Sequence, residues 1–148
     1  MEEMTWMDVR DALKAGKTSV IIATGGMEPN GPWLATGKHN YVLQSNCEAI
    51  ARKLGNALCA PIVKFVPEGD SEKKTSHMAS PGTISMREDT FRGILRDTAE
   101  SLQAHGFKNI ILRGLGVESV LLPAGVLAGY AVLFFTLAAW RFHVSQEG

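Results

Sequence analysis

The sequence has few cysteines and no excess of charge of either sign. Only two of its 148 residues are cysteine, and 15 basic side chains balance 15 acidic ones. Cys47 and Cys59 form neither a CxxC pair nor a cluster with histidine, which excludes a cysteine-based metal site. We expect both to be small buried thiols in a reducing compartment. The charge balance excludes electrostatic recruitment to nucleic acid.

The N-terminus lacks the apolar stretch of a secretory signal peptide. It begins Met1-Glu2-Glu3-Met4, which is acidic rather than basic and apolar. We therefore expect the charged part of the chain to lie in the cytoplasm.

Apolar residues recur first at helical and then at strand spacing along the charged part of the chain. The predicted elements are a helix capped by Thr5 and ended by Gly16, a strand over Ser19–Thr24, a helix over 40–54, a strand over 58–63, a helix opened by a capping box over 85–88 and ended by His105-Gly106, and a strand over 109–112. Alternating helices and strands predict an α/β fold with three layers, a parallel sheet between helices. Ligands bind such sheets at the carboxyl ends of the strands, here the loops after Thr24, Val63 and Arg113.

Three motifs follow one another in the predicted loops and at the last predicted strand. The first loop, rich in glycine and proline, carries Glu28, Gly31, Pro32, Leu34 and Gly37 at the spacing E-x-H-G-P-x-L-x-x-G-x-D. The second motif is Ser80-Pro81-Gly82-Thr83-Ile84-Ser85, preceded by His77, and the third is Ala104-His105-Gly106-Phe107-Lys108-Asn109-Ile110-Ile111-Leu112. Together, over roughly residues 4 to 114, they resemble the creatininase family of metal-dependent amidohydrolases. The resemblance implies a truncated creatininase-like fold, a small-molecule amide substrate and a homo-oligomer.

The resemblance also implies metal ligands, but most of the family's ligand positions differ here. Family members hold two divalent metals through a Glu and a His of the first loop, the Asp that ends it, and a His and an acid after a later strand. Glu28 matches, whereas Asn30 and His39 stand where the first His and the Asp belong. Leu115 and Val117 replace the later pair. A neutral imidazole gives one lone pair to one metal, so His39 cannot bridge two ions as a carboxylate does.

A reduced site with at most one zinc or manganese ion is the enzymatic hypothesis. Its metal ligands are Glu28, His39 and Glu118, which lies one position past the family's acid, and His77 assists catalysis on a non-peptide or cyclic amide C–N bond. The alternative hypothesis is an inactive family remnant, in which Glu28 and His39 are hydrogen-bonded polar residues of an inherited loop.

Three residues of the first loop are candidates for substrate binding. Asn30 follows Glu28, Trp33 can wall a pocket or anchor the loop in the core, and Lys38 precedes His39. In a third hypothesis, Lys38-His39-Asn40 contacts an anionic or carbonyl ligand in a small-molecule binding module. The sequence does not identify the substrate.

The C-terminal segment is apolar and differs from the rest of the chain. No residue from Val120 to Trp140 is charged. As a helix this stretch is about 31 Å long, enough for a hydrocarbon core of roughly 30 Å. We expect a creatininase-like domain over 1–118 and a membrane-spanning helix over 119–148 that anchors the cytoplasmic head. The alternative is a helix buried on the sheet, and the junction itself fits a fusion, a frameshift or a truncation.

Overall fold

The computed structural model describes residues 1–114 of the chain. Within this part of the chain, three helices and three strands follow one another, with one 3-10 turn over Ser76–Ala79. They are α1 (Trp6–Lys14), β1 (Ser19–Thr24), α2 (Lys38–Leu54), β2 (Ala57–Cys59), α3 (Glu88–Ala104) and β3 (Asn109–Gly114).

The strands form a parallel sheet in the order β2-β1-β3, as the alternation of elements predicts. β1 is central, and its apolar run is buried because helices cover both faces of the sheet. On one face Val20 and Ile22 pack against apolar residues of α1 and α3. On the other face α2 packs against β1 and β2 through Leu43, Cys47 and Ala51, which recur every four residues.

Cys47 of α2 and Cys59 of β2 form a disulfide, with their Cα atoms 5.8 Å apart. The expectation of two free thiols is therefore wrong for this structure. Cys47 is buried, as expected, whereas Cys59 is half-buried. The packing of α2 on β2 makes the two cysteines neighbours. Their distance depends on that packing, which neither local pattern contains.

The second strand is shorter than its apolar run predicts. Regular pairing with β1 stops at Cys59, and the Ala60 N–H still donates to the Ile21 carbonyl at 2.9 Å. The chain then rejoins the end of β1, where the Val63 N–H donates to the Ala23 carbonyl at 2.9 Å and the Gly25 N–H donates to the Val63 carbonyl at 2.8 Å. The loops after β1 and β2 consequently leave the sheet side by side.

The two predicted helix caps have different outcomes. Thr5 caps α1 in a reciprocal pair with Asp8, as predicted. The capping box over 85–88 is wrong, because α3 begins at Glu88 and Arg87 holds the cap position without a side-chain bond. The Ser85 hydroxyl instead donates to the Gly69 carbonyl at 2.8 Å and accepts from the Glu68 N–H at 2.9 Å.

The predicted membrane helix and the domain boundary at residue 118 lie outside the described residues. Within residues 1–114, none of the helices combines the length and the apolar character that crossing a membrane requires.

Candidate functional site

The loop after β1 places Glu28 beside the carboxyl end of the sheet. Its backbone is fixed on both sides: the Glu28 N–H donates to the Thr36 carbonyl at 3.1 Å, and the Ile84 N–H donates to the Met27 carbonyl at 3.0 Å. The Glu28 side chain is 15% exposed. Its carboxylate is therefore directed toward the neighbouring loops rather than into solvent.

The loop after β2 supplies Glu68, whose side chain is only 7% exposed. Ser85 fixes this residue by accepting its N–H, and the Glu68 carbonyl accepts the His77 N–H at 3.1 Å. Between Glu68 and His77 the chain forms a turn at Asp70, whose carboxylate accepts hydrogen bonds from two backbone N–H groups at 2.8 Å. This local turn brings His77 over Glu68.

Two carboxylates and two imidazoles meet where these loops converge. His77 Nδ1 lies 2.9 Å from Glu28 Oε2 and 2.8 Å from Glu68 Oε2. The other oxygen of Glu28, Oε1, lies 2.9 Å from His39 Nδ1, at the start of α2. Glu28 thus touches both imidazoles, one with each oxygen.

Burial, hydrogen bonding and the proximity of the two carboxylates together raise the pKa values of Glu68 and His77. Burial raises the pKa of Glu68, and the neighbouring Glu28 raises it further, while the hydrogen bond with His77 partly opposes the change. The hydrogen bond with Glu68 raises the pKa of His77, and the charges of both carboxylates add to this effect against its partial burial. In the absence of a cation, protons therefore relieve the repulsion.

The donor set fits a divalent cation. One ligand atom each from Glu28, Glu68 and His77 lies within 4.8 Å of the others. Burying two carboxylates side by side is costly, and a cation offsets that cost. Mixed carboxylate and imidazole donors suit zinc or manganese. The three side chains form a cluster that can hold one such ion.

The structure brings together three of the residues that the sequence singles out. Glu28, His39 and His77 meet, whereas Glu118 lies outside the described part of the chain. Glu68 is absent from the sequence-based candidates. Its position, an acid directly before a glycine in the loop after the second strand, is the signal that could have pointed to it.

The three candidates for substrate binding lie on or next to the first loop. Asn30 Nδ2 donates to the Glu28 carbonyl at 3.0 Å, so its amide group braces the loop. Trp33 is 91% exposed, which contradicts the alternative of a buried anchor. Lys38 is the first residue of α2. A role for any of the three in binding substrate stays a prediction.

Fold and cluster together define a class: a parallel α/β domain with a carboxylate–imidazole centre at the carboxyl end of its sheet. Residues 2–114 match the family model described as creatininase, creatinine amidohydrolase. The chain belongs to the creatininase family.

Two curated proteins and a crystal structure are similar to the chain. A 3-dehydro-scyllo-inosose hydrolase from Thermotoga maritima is 29% identical over 122 residues, 81% of this chain and 37% of the relative. A creatinine amidohydrolase from Pseudomonas putida is 24% identical over 110 residues, 74% of this chain and 42% of the relative. A crystal structure of creatinine amidohydrolase superposes with a TM-score of 0.71 at 22% identity, covering 92% of this chain and 52% of that one. The chain thus spans about half, or less, of the length of these relatives.

Solved creatininase structures include one described as a manganese form and one of a variant described as the Zn-Zn type. Another variant was solved in complex with creatine. These descriptions concern the relatives, in which divalent metals and a small-molecule ligand have been observed.

Proposed function

We propose that residues 1–114 form the metal-binding part of a creatininase-like hydrolase that uses a single divalent ion held by Glu28, Glu68 and His77. The observation that carries the proposal is the position of His77 Nδ1, within 2.9 Å of one oxygen from each carboxylate. These carboxylate and imidazole side chains lie close together and partly buried at the carboxyl ends of parallel strands, which is where α/β domains bind their ligands.

The change in ligands relative to the family pattern supports a single ion. Asn30, at the position of a family metal-binding His, directs its amide nitrogen to backbone carbonyls. His39, at the position of the family's bridging Asp, contacts one oxygen of Glu28. Glu68 adds a buried carboxylate on the opposite side of Glu28's carboxyl group. The site is reduced in the number of ions it can hold, but it retains enough donors for one.

The two histidines have different roles in this proposal. His77 Nδ1 lies between the carboxylates, so its lone pair serves as a ligand and cannot also accept a proton. His39 is hydrogen-bonded through Nδ1 to Glu28, which orients the ring and leaves Nε2 as the proton acceptor. Proton transfer is therefore assigned to His39 and metal binding to His77, the reverse of the assignment that the sequence suggests.

The proposed substrate is a small molecule with an amide C–N bond, cyclic or non-peptide. A divalent ion, when bound, would act as a Lewis acid that polarises the substrate carbonyl. Glu28 holds His39 in place. His39 Nε2 takes the proton released as water adds to the carbonyl carbon and returns it to the amide nitrogen as the C–N bond breaks, which yields a carboxylic acid and an amine. Trp33, exposed on the first loop, is the proposed apolar contact for the ring of a cyclic substrate. A homo-oligomer and a membrane anchor stay predictions from the sequence.

Metal content and hydrolase activity of the purified full chain test this proposal. After dialysis against Zn²⁺ or Mn²⁺, we expect one ion per chain and metal-dependent hydrolysis of cyclic amides such as creatinine. Glu28→Gln should abolish both, because it removes a charge from the centre of the cluster.

The matched control is Glu72→Gln, an exposed carboxylate in the same loop as Glu68. It should retain the ion and the activity of the parent chain. A folded parent chain that binds no ion would reject the proposal in favour of an inactive family remnant. Metal binding without hydrolysis would limit the site to ligand binding.

A further inference from the structure

Asn40, next to His39, uses its side chain to close a buried contact between α2 and the first loop. Asn40 Nδ2 donates to the Gly26 carbonyl at 3.2 Å, and the Gly26 N–H donates to Asn40 Oδ1 at 3.1 Å. The residue is 9% exposed. A carboxamide matches a peptide group in donor and acceptor, so it can satisfy both polar groups of Gly26 at once.

The backbone at Gly25 and Gly26 is held closely on two sides. A Cβ atom on Gly25 would collide with Asn40 Oδ1, and one on Gly26 would collide with Glu68 Oε1. The two glycines therefore allow the chain to pass between an amide and a carboxylate. Any larger residue would push Asn40 or Glu68 away.

The Asn40–Gly26 contact adjoins the acid–imidazole cluster, which consists of Glu28, His39, Glu68 and His77. Gly26 is two residues before Glu28, Asn40 is one residue after His39, and the Glu68 carboxylate lies against the Gly26 backbone. Three of the four residues in the cluster are thus connected to the Asn40–Gly26 pair by one or two residues or by direct contact. A shift of Gly26 would change the separation of the two carboxylates.

We propose that Asn40 is a positioning residue for the metal centre: its bidentate hydrogen bonding to Gly26 keeps Glu28 and Glu68 at the separation that a shared ion needs. This inference depends on the proposed function for its metal-binding consequence, although the hydrogen-bonded contact itself does not. Residues that support metal ligands from behind typically change affinity by about 10- to 100-fold when they are removed.

The first test measures the affinity of the full chain for Zn²⁺ by competition with a chelator. Asn40→Ala should weaken binding about 10- to 100-fold. The control is Ile21→Val, a small core change beneath the same helix at a residue that is 1% exposed. It should lower the thermal midpoint while leaving Zn²⁺ affinity unchanged, which separates positioning from loss of stability. Unchanged affinity in folded Asn40→Ala would overturn the proposal.

The second test needs no metal. Hydrogen exchange of the Gly26 amide in the metal-free chain should be slow in the parent and in Ile21→Val, and much faster in Asn40→Ala. Asn40→Leu is similar in size but offers Gly26 neither a donor nor an acceptor, so the same loss of protection is expected if the alanine variant does not fold.

The two tests also separate this inference from the proposed function. A parent chain that binds no Zn²⁺ but loses Gly26 protection on Asn40→Ala would reject the metal centre and support the hydrogen-bonded contact. Equal exchange of Gly26 in the parent and both Asn40 variants would reject the contact.

Discussion

Glu68→Gln separates metal affinity from fold stability, because the carboxylate should help one and harm the other. Burial raises the pKa of Glu68, so its ionised form destabilises the metal-free fold at neutral pH. A neutral amide of the same shape avoids that cost. We therefore expect the thermal midpoint of the metal-free variant to equal or exceed that of the parent chain.

The effect on metal binding should be large and of opposite sign. Removing a residue that supports a metal ligand lowers metal affinity by up to about 100-fold, so removing a direct ligand should lower it by at least that factor. At a metal concentration about 100 times the parent's Kd, the ion adds about 2.7 kcal/mol to the parent's free energy of unfolding and about 0.4 kcal/mol to that of the variant. For a domain of this size these values correspond to midpoint increases of about 5–15 °C and about 1–2 °C.

Thermal denaturation of both proteins, with Zn²⁺ and with a chelator, measures all four midpoints. Glu72→Gln, from the exposed part of the same loop, should behave as the parent does. A full metal-induced increase in Glu68→Gln would refute the role of Glu68 as a ligand. A fall in its metal-free midpoint would refute the account of its burial.

Three other predictions concern the metal-free chain. The pKa values of Glu68 and His77 are both raised in the folded state, so the native state binds more protons than the unfolded state. The free energy of unfolding should therefore fall as the pH rises from about 4.5 through the raised pKa of His77, above 6.5. Urea denaturation at several pH values in this window measures it, and a free energy of unfolding that rises with pH would contradict the prediction. Reduction of the disulfide, whose cysteines are 12 residues apart, should lower the free energy of unfolding by about 3 kcal/mol, with no response to reductant in a Cys47→Ala/Cys59→Ala variant. Gly93→Ala, inside α3 where a Cβ meets open space, should stabilise the chain by about 0.5–1 kcal/mol, and a lower urea midpoint would show that this space is occupied.

Most of the fold could be predicted because its signals are local. The apolar run of β1 and the spacing of buried residues in α2 each follow from one element facing the core. The order of helices and strands then implies a parallel sheet and a site at its carboxyl edge. Glu28 could be proposed from the sequence because it lies in the loop at that edge.

The features that the sequence did not predict depend on packing between helices, strands and loops. Glu68 is one of several charged residues in a long loop, and it turns inward because Ser85 binds its backbone and His77 meets its carboxylate. The sequence pattern predicts that Ser85 caps α3. That prediction uses only neighbouring residues, so it cannot include hydrogen bonds from Ser85 to a loop 16 or 17 residues away. The disulfide of Cys47 similarly depends on how α2 lies on β2.

We expect Glu28, Glu68 and His77 to hold one divalent ion jointly. Crystals of the full chain grown with Mn²⁺, measured at a wavelength where manganese scatters anomalously, test it most directly. We predict one anomalous peak per chain, bounded by Glu28 Oε2, Glu68 Oε2 and His77 Nδ1. Ordered side chains with no peak among these three atoms at saturating Mn²⁺ would contradict it.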